Sequence, residues 1–91
     1  VDLGRLPGGD LVGQGLRDLE AGEESIASLL VWVGAPRLRR LGLTLSGAGP
    51  PQAEHRLYER LAALDADSAH SRYNALIRLL VSFERAAECG G

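Results

Sequence analysis

Three arginines crowd into positions 37–40 of the stretch GAPRLRRLGL, residues 34–43, directly behind a proline. Guanidinium groups at this density suit two tasks, pairing with carboxylates and contacting phosphates. A helix-turn-helix reader of DNA needs a tight turn and then a helix that shows polar side chains to the major groove. Gly34 followed by Arg37, Arg39 and Arg40 meets part of that pattern. Against it, the helix has room for barely two turns and carries no Asn or Gln to pair with adenine. It also follows the acidic residues Asp18, Glu20, Glu23 and Glu24. A solvated or ion-paired face, with Leu38 and Leu41 buried, accounts for these residues better. Nucleic-acid binding through Arg37, Arg39 and Arg40 stands as the alternative.

The remaining reactive side chains are scattered. His55 and His70 fall on successive helices of an expected hairpin, offset by about 10 Å along its axis at 1.5 Å rise per residue. They should not share a metal within one chain. Asp67 and His70 can face one ion, but a helical site needs further ligands that the sequence does not offer. His55 and Glu59, four apart, read as a surface pair. Cys89 has no histidine near it in sequence and lies at the end of the last helix. The glycine-rich GGDLVGQG, residues 8–15, fits neither the dinucleotide nor the phosphate-loop spacing, and Gly90–Gly91 reads as a helix stop. No catalytic constellation, cofactor or metal is expected, and the chain reads as non-enzymatic.

The elements that hold these residues are helical. Residues 1–9 form an extended lead-in, after which Asp10 is placed to cap a helix over 11–21 with Leu11, Val12, Leu16 and Leu19 on its apolar side. Gly13 and Gly15 weaken that helix by about 1 kcal/mol each relative to Ala, and Gly22 ends it. A second helix over 23–33 opens on Glu23 and Glu24, against the positive end of its dipole. Its stripe is Ile26, Leu29, Leu30 and Val33, with Val31 and Trp32 off it. Gly34 stops this helix, and Gly42 closes the short arginine helix. Residues 43–50 form a loop that Leu43 and Leu45 pin to the core. Pro51 starts a helix over 51–64, striped by Ala53, Leu57, Leu61 and Leu64. After a turn at 65–68 the last helix runs over 68–88.

That last helix carries Tyr73, Leu76, Leu80, Phe83 and Ala87 at 3-4-3-4 spacing, with Ile77, Leu79 and Val81 beside them. Its apolar positions cover about 240° of the circumference, well beyond the single stripe of a one-faced helix. The expectation is a single domain, 1–91: an all-α bundle of four to five helices with a C-terminal antiparallel hairpin and a long, central last helix. Arg72 and Glu84 fall within the wide apolar sector, where an unpaired charge is costly. Hairpin register suggests Glu59 for Arg72, and the start of the preceding helix or the 46–50 loop for Glu84.

Composition points the same way. The chain has 91 residues, 45% of them hydrophobic, and a formal net charge of −2. No overall positive field advertises nucleic acid. All ten basic residues are arginine, and one cysteine excludes an internal disulfide. No apolar run reaches membrane-spanning length, and a cytoplasmic protein is expected. A domain this small buries only about 60–65% of the surface its unfolded chain exposes. Surplus apolar surface therefore suggests a protein-interaction or oligomerisation module, most simply a two-fold homodimer. A different protein as partner fits the same residues. Interface candidates are Trp32, Tyr73, Leu76, Leu80, Phe83, Arg72 and Glu84.

Overall fold

Where each helix starts and stops follows from backbone groups that need partners and glycines that supply special angles. The computed structural model describes residues 5–45 and 52–90. Its helices are α1 (Gly9–Glu20), α2 (Ile26–Val33), α3 (Ala35–Arg40), α4 (Ala53–Leu64) and α5 (Ala69–Gly90). No strand occurs among the described residues, as expected of an all-α chain. Most of the 43–50 loop, the start at Pro51, the first four residues of the lead-in and Gly91 lie outside the described residues. Within them, Leu45 is buried and Leu43 half-buried against the core, as a pinned segment requires.

The first two helix starts differ from the expected ones. Asp10 does not cap α1. Gly8 takes the N-cap position with φ +76°, Gly9 N–H donates to the Leu6 carbonyl and Val12 N–H to the Gly8 carbonyl. The helical turn is thus already under way when Asp10 arrives, and its carboxylate sits in the first turn instead. At the other end Gly22, φ +76°, folds the chain back, so that the Gly22 and Glu23 N–H groups satisfy the carbonyls of Leu19 and Asp18. α2 opens at Ile26 and not at Glu23, because Ser25 caps it. Ser28 N–H donates to Ser25 Oγ at 3.1 Å, and Ser25 N–H donates back to Ser28 Oγ at 2.8 Å. This reciprocal box leaves Glu23 and Glu24 in the preceding connector. Ser25 Oγ also donates to Asp18 Oδ2 at 2.6 Å, tying the end of α1 to the start of α2.

The centre of the bundle is α2, and the expectation of a central last helix is corrected. Ala27, Ser28, Leu29, Leu30 and Val31 are all buried, and five successive buried positions take in the whole circumference of a helix. α1, α3, α4 and α5 all pack on it. A short chain can fully enclose only one element, and α2, apolar at every position but Ser28, loses most by facing water. Val31, off the expected stripe, is therefore fully buried. In α5, Ala69, Leu80, Phe83, Glu84 and Ala87 are buried, Tyr73, Leu76, Ile77 and Val81 are half-buried, and Leu79 is 37% exposed. α4 contributes Leu57 and Leu61 to the core, while Leu64, the last member of its expected stripe, is 65% exposed where the helix ends.

Gly15 permits a close approach of α1 to α2. A Cβ at this position would lie 2.4 Å from the Ala27 carbonyl oxygen and 2.4 Å from Val31 Cγ2. The residue that weakens α1 as an isolated helix is what lets α1 lie against the α2 backbone. At an open helical site Gly→Ala stabilises by ~1 kcal/mol. Gly15→Ala should instead destabilise by about 1–3 kcal/mol, as overpacked cores do. Urea unfolding measures the difference, and a midpoint equal to or above that of the parent would contradict the close contact.

Candidate interaction surface

The short helix α3 is aimed by its neighbours. Gly34 ends α2 and begins α3, Pro36 sits in the first turn, and Leu38 is fully buried. With Leu38 fixed inward, the three arginines must diverge. At 100° per residue Arg37 and Arg40 lie about 60° apart on one side, and Arg39 points away from both. Arg39 stacks over the Trp32 ring, 5.2 Å from its centroid, with Trp32 itself half-buried. Arg37 and Arg40 face α5.

Between them and α5 runs an open cleft of about 460 Å³. Val33 and Gly34 from the end of α2, Pro36 from α3, and Ile77, Leu80 and Val81 from α5 make its apolar surface, with Arg37, Arg40 and Glu84 as its charges. Glu84 follows Ile77 and Leu80 on one face of α5. It is only 4% exposed; its ion pair is with Arg37 of α3 and not with a described residue at the start of α4, and the other place its register suggests, the 46–50 loop, lies outside the described residues. It lies against α3 and Gly34 because the missing Gly34 side chain leaves room there: a Cβ would come within 3.2 Å of Glu84 Oε2 and 3.0 Å of Leu80 Cδ2. Arg37 Nη1 stands 3.7 Å from Glu84 Oε1, an ion pair too long for a hydrogen bond. Among the described residues no other cation reaches this carboxylate. Burial pushes its proton affinity up, Arg37 opposes that, and Glu88 one turn on adds to it.

The other candidates are placed as follows. Phe83 is fully buried and offers no surface to a partner, while Leu80, 4% exposed, shows only its edge in the cleft. Leu76 and Tyr73 are half-buried. Tyr73 packs against Tyr58 of α4 at 5.8 Å between ring centroids, and Tyr58 meets His70 edge-on at 6.5 Å. Burial, with a smaller contribution from Glu54, raises the Tyr73 phenol above its ordinary range. Arg72 is exposed and does not pair with Glu59. Glu59 is taken by His55, four residues back on the same helix, at 2.7 Å. His70 lies near Asn74, 3.2 Å between side-chain nitrogens, and Cys89 is an exposed free thiol. No group of three or more potential metal ligands gathers among the described residues.

A second charged cluster escapes sequence reading. Arg56 of α4 donates to the Glu24 carboxylate through Nε at 3.1 Å and Nη2 at 2.7 Å, and Arg60 donates to the Glu24 carbonyl at 2.9 Å. Arg56 holds the Glu24 carboxyl below its ordinary range. These groups are solvated, so the cluster serves as a surface tether between the α1–α2 connector and α4. The i, i+4 spacing of Arg56 and Arg60 is its only trace in the sequence. The trace of the cleft is better: Glu84 is an acid on an apolar stripe, and Gly34 is the gap it needs. No family model, curated protein or solved structure matches this chain.

Glu84 gives the site a measurable signature. Its folded-state value is raised above the ordinary 4.5, so the folded chain holds a proton that the unfolded chain has already lost. Its contribution to stability is greatest below that ordinary value and falls as pH rises through the raised one. Glu84→Gln should therefore match the parent below the ordinary value and melt at increasingly higher temperature than the parent as pH rises through the raised one. Melting curves across that interval check it. A variant less stable than the parent at neutral pH would contradict the reading of Glu84 as a costly buried acid.

Proposed function

We propose that this chain is a non-enzymatic protein-interaction module that works as a homodimer. The observation that carries the reading is the incomplete cover of α5. Leu79 is 37% exposed, and Ile77 and Val81, half-buried, line an open cleft with α3. No further element among the described residues closes it. Association is the ordinary remedy for a small domain with surplus apolar surface. The contacts of Tyr58 with His70 and Tyr73 support a C-terminal antiparallel hairpin of α4 and α5 as the scaffold that presents this face. Glu84 supports the reading as well, since a buried acid held at a cost to stability belongs to sites used for something else.

A cytoplasmic setting completes the reading. No described helix is long and apolar enough to cross a membrane, and an exposed free thiol at Cys89 suits reducing conditions. The nucleic-acid alternative draws less support from the side chains. Arg39 is stacked on Trp32 and Arg37 faces Glu84, so the trio does not present one cationic surface. Light scattering coupled to size exclusion tests the proposal. The expected mass is twice the 9.7 kDa of one chain, falling toward one on dilution. A single-chain mass up to about 100 μM, where a micromolar complex is nearly fully formed, would overturn it.

A further inference from the structure

We propose that the cleft between α3 and α5 binds an amphiphilic monocarboxylate, a small molecule with a short apolar body and one carboxylate head, and that Arg40 holds the head. This goes beyond the homodimer reading and does not depend on it. At 100° per residue Leu79 lies about 160° around α5 from Val81, so a molecule in the cleft leaves Leu79 exposed. The cleft, at about 460 Å³, falls within the range of about 300–1,000 Å³ typical of small-molecule sites. Val33, Pro36, Ile77 and Val81 supply the apolar surface that the body of the occupant would cover.

The head group follows from what any occupant must replace. Covering the trough takes water from the polar groups that line it. Arg40 is exposed, lines the cleft and has no acidic partner among the described residues, so water solvates its guanidinium. Glu84 lines the cleft as well, 4% exposed. Its carboxyl meets Arg37 only at 3.7 Å and takes no hydrogen bond from a described residue. A neutral apolar occupant would strip water from Arg40 and return nothing, which is costly. A cation would meet the guanidinium groups of both Arg37 and Arg40. A carboxylate returns what the water gave, because its two oxygens accept a bidentate pair from one guanidinium. Glu84 tolerates that head when it carries a proton. The charged groups around it are Arg37 and Arg40 of α3 and Glu88 of α5, and the end of α2 brings only Val33 and Gly34. Burial favours its protonated form, against Arg37 and with Glu88, and an anion in the trough adds to that. Protonated, Glu84 has an O–H to donate toward the head instead of a charge that repels it.

Octanoate is the probe, with octanol and octylammonium as controls that lack the anion. Methyl shifts of Val33, Ile77 and Val81 in NMR titrations report occupancy of the cleft, whether the chain is single or paired. Octanoate should saturate one site per chain with a dissociation constant of about 1 mM or tighter. It should bind at least about tenfold more tightly than either control. Arg40 is exposed, so Arg40→Ala should fold as the parent does, which circular dichroism verifies. That variant should weaken octanoate by about tenfold and leave octanol unchanged. Glu84→Gln keeps a donor and removes the like charge, and should bind octanoate as tightly as the parent or more so. No saturation by about 10 mM, equal binding of the three probes, or undiminished binding by Arg40→Ala would overturn the proposal. So would a Glu84→Gln variant that folds and binds octanoate about tenfold more weakly. None of these outcomes bears on the mass of the protein, which tests the homodimer separately.

Discussion

The contact on which the rest of this fold depends is the approach of α1 to α2 at Gly15. A helix apolar on every side needs neighbours on every side, and in a chain this short each neighbour must lie close. Gly15 lets the α2 backbone at Ala27 and the Val31 side chain come within the space a methyl group would fill. The Ser25–Ser28 box and the Ser25–Asp18 hydrogen bond fix the reversal between the two helices. With α1 on one flank, α4 and α5 complete the cover, and Leu29, Leu30, Leu57, Leu61 and Phe83 all fall below 2% exposure. Enclosing α2 is also what leaves α5 only partly covered.

This division of surface accounts for the cleft. The α2 helix stops at Gly34, and the chain turns at once into α3, which is anchored by Leu38. That single anchor sends Arg37 and Arg40 toward α5 and Arg39 toward Trp32. Glu84 occupies the space that Gly34 leaves, buried and only loosely paired. A wholly apolar residue would cover that floor more stably. Keeping an acid there holds the side chain of Arg37 toward the trough.

Much of the architecture was legible in residue spacing, because helix periodicity and glycine stops are local. Five helices follow one another in the order that the apolar repeats and Gly22, Gly34 and Gly42 imply, with the starts of α1 and α2 displaced from the expected ones, and Leu38 and Leu45 are buried as their positions imply. What spacing could not convey was competition between elements. The apolar circumference of α5 is wide, yet α2 is denser and takes the centre, so Val31 is enclosed and Leu79 is not. Gly15 read as a weakness because propensity describes an isolated helix, whereas its role is set by a backbone carbonyl twelve residues away. Ser25 was overlooked because two glutamates beside it also suit a helix start. The Glu84–Arg37 pair needed three helices to be placed before its partners could meet.

Amide hydrogen exchange at two protein concentrations tests this account most directly, since it reports how each helix is covered. The backbone of α2 from Leu29 to Val33 should exchange slowly and to the same extent at both concentrations, because its cover comes from its own chain. The backbone of α5 around Ile77–Glu84 should exchange faster than α2 when dilute and slow markedly when concentrated. Equal protection of α2 and α5 at low concentration, unchanged at high, would mean that α5 is already enclosed within one chain and would contradict the account.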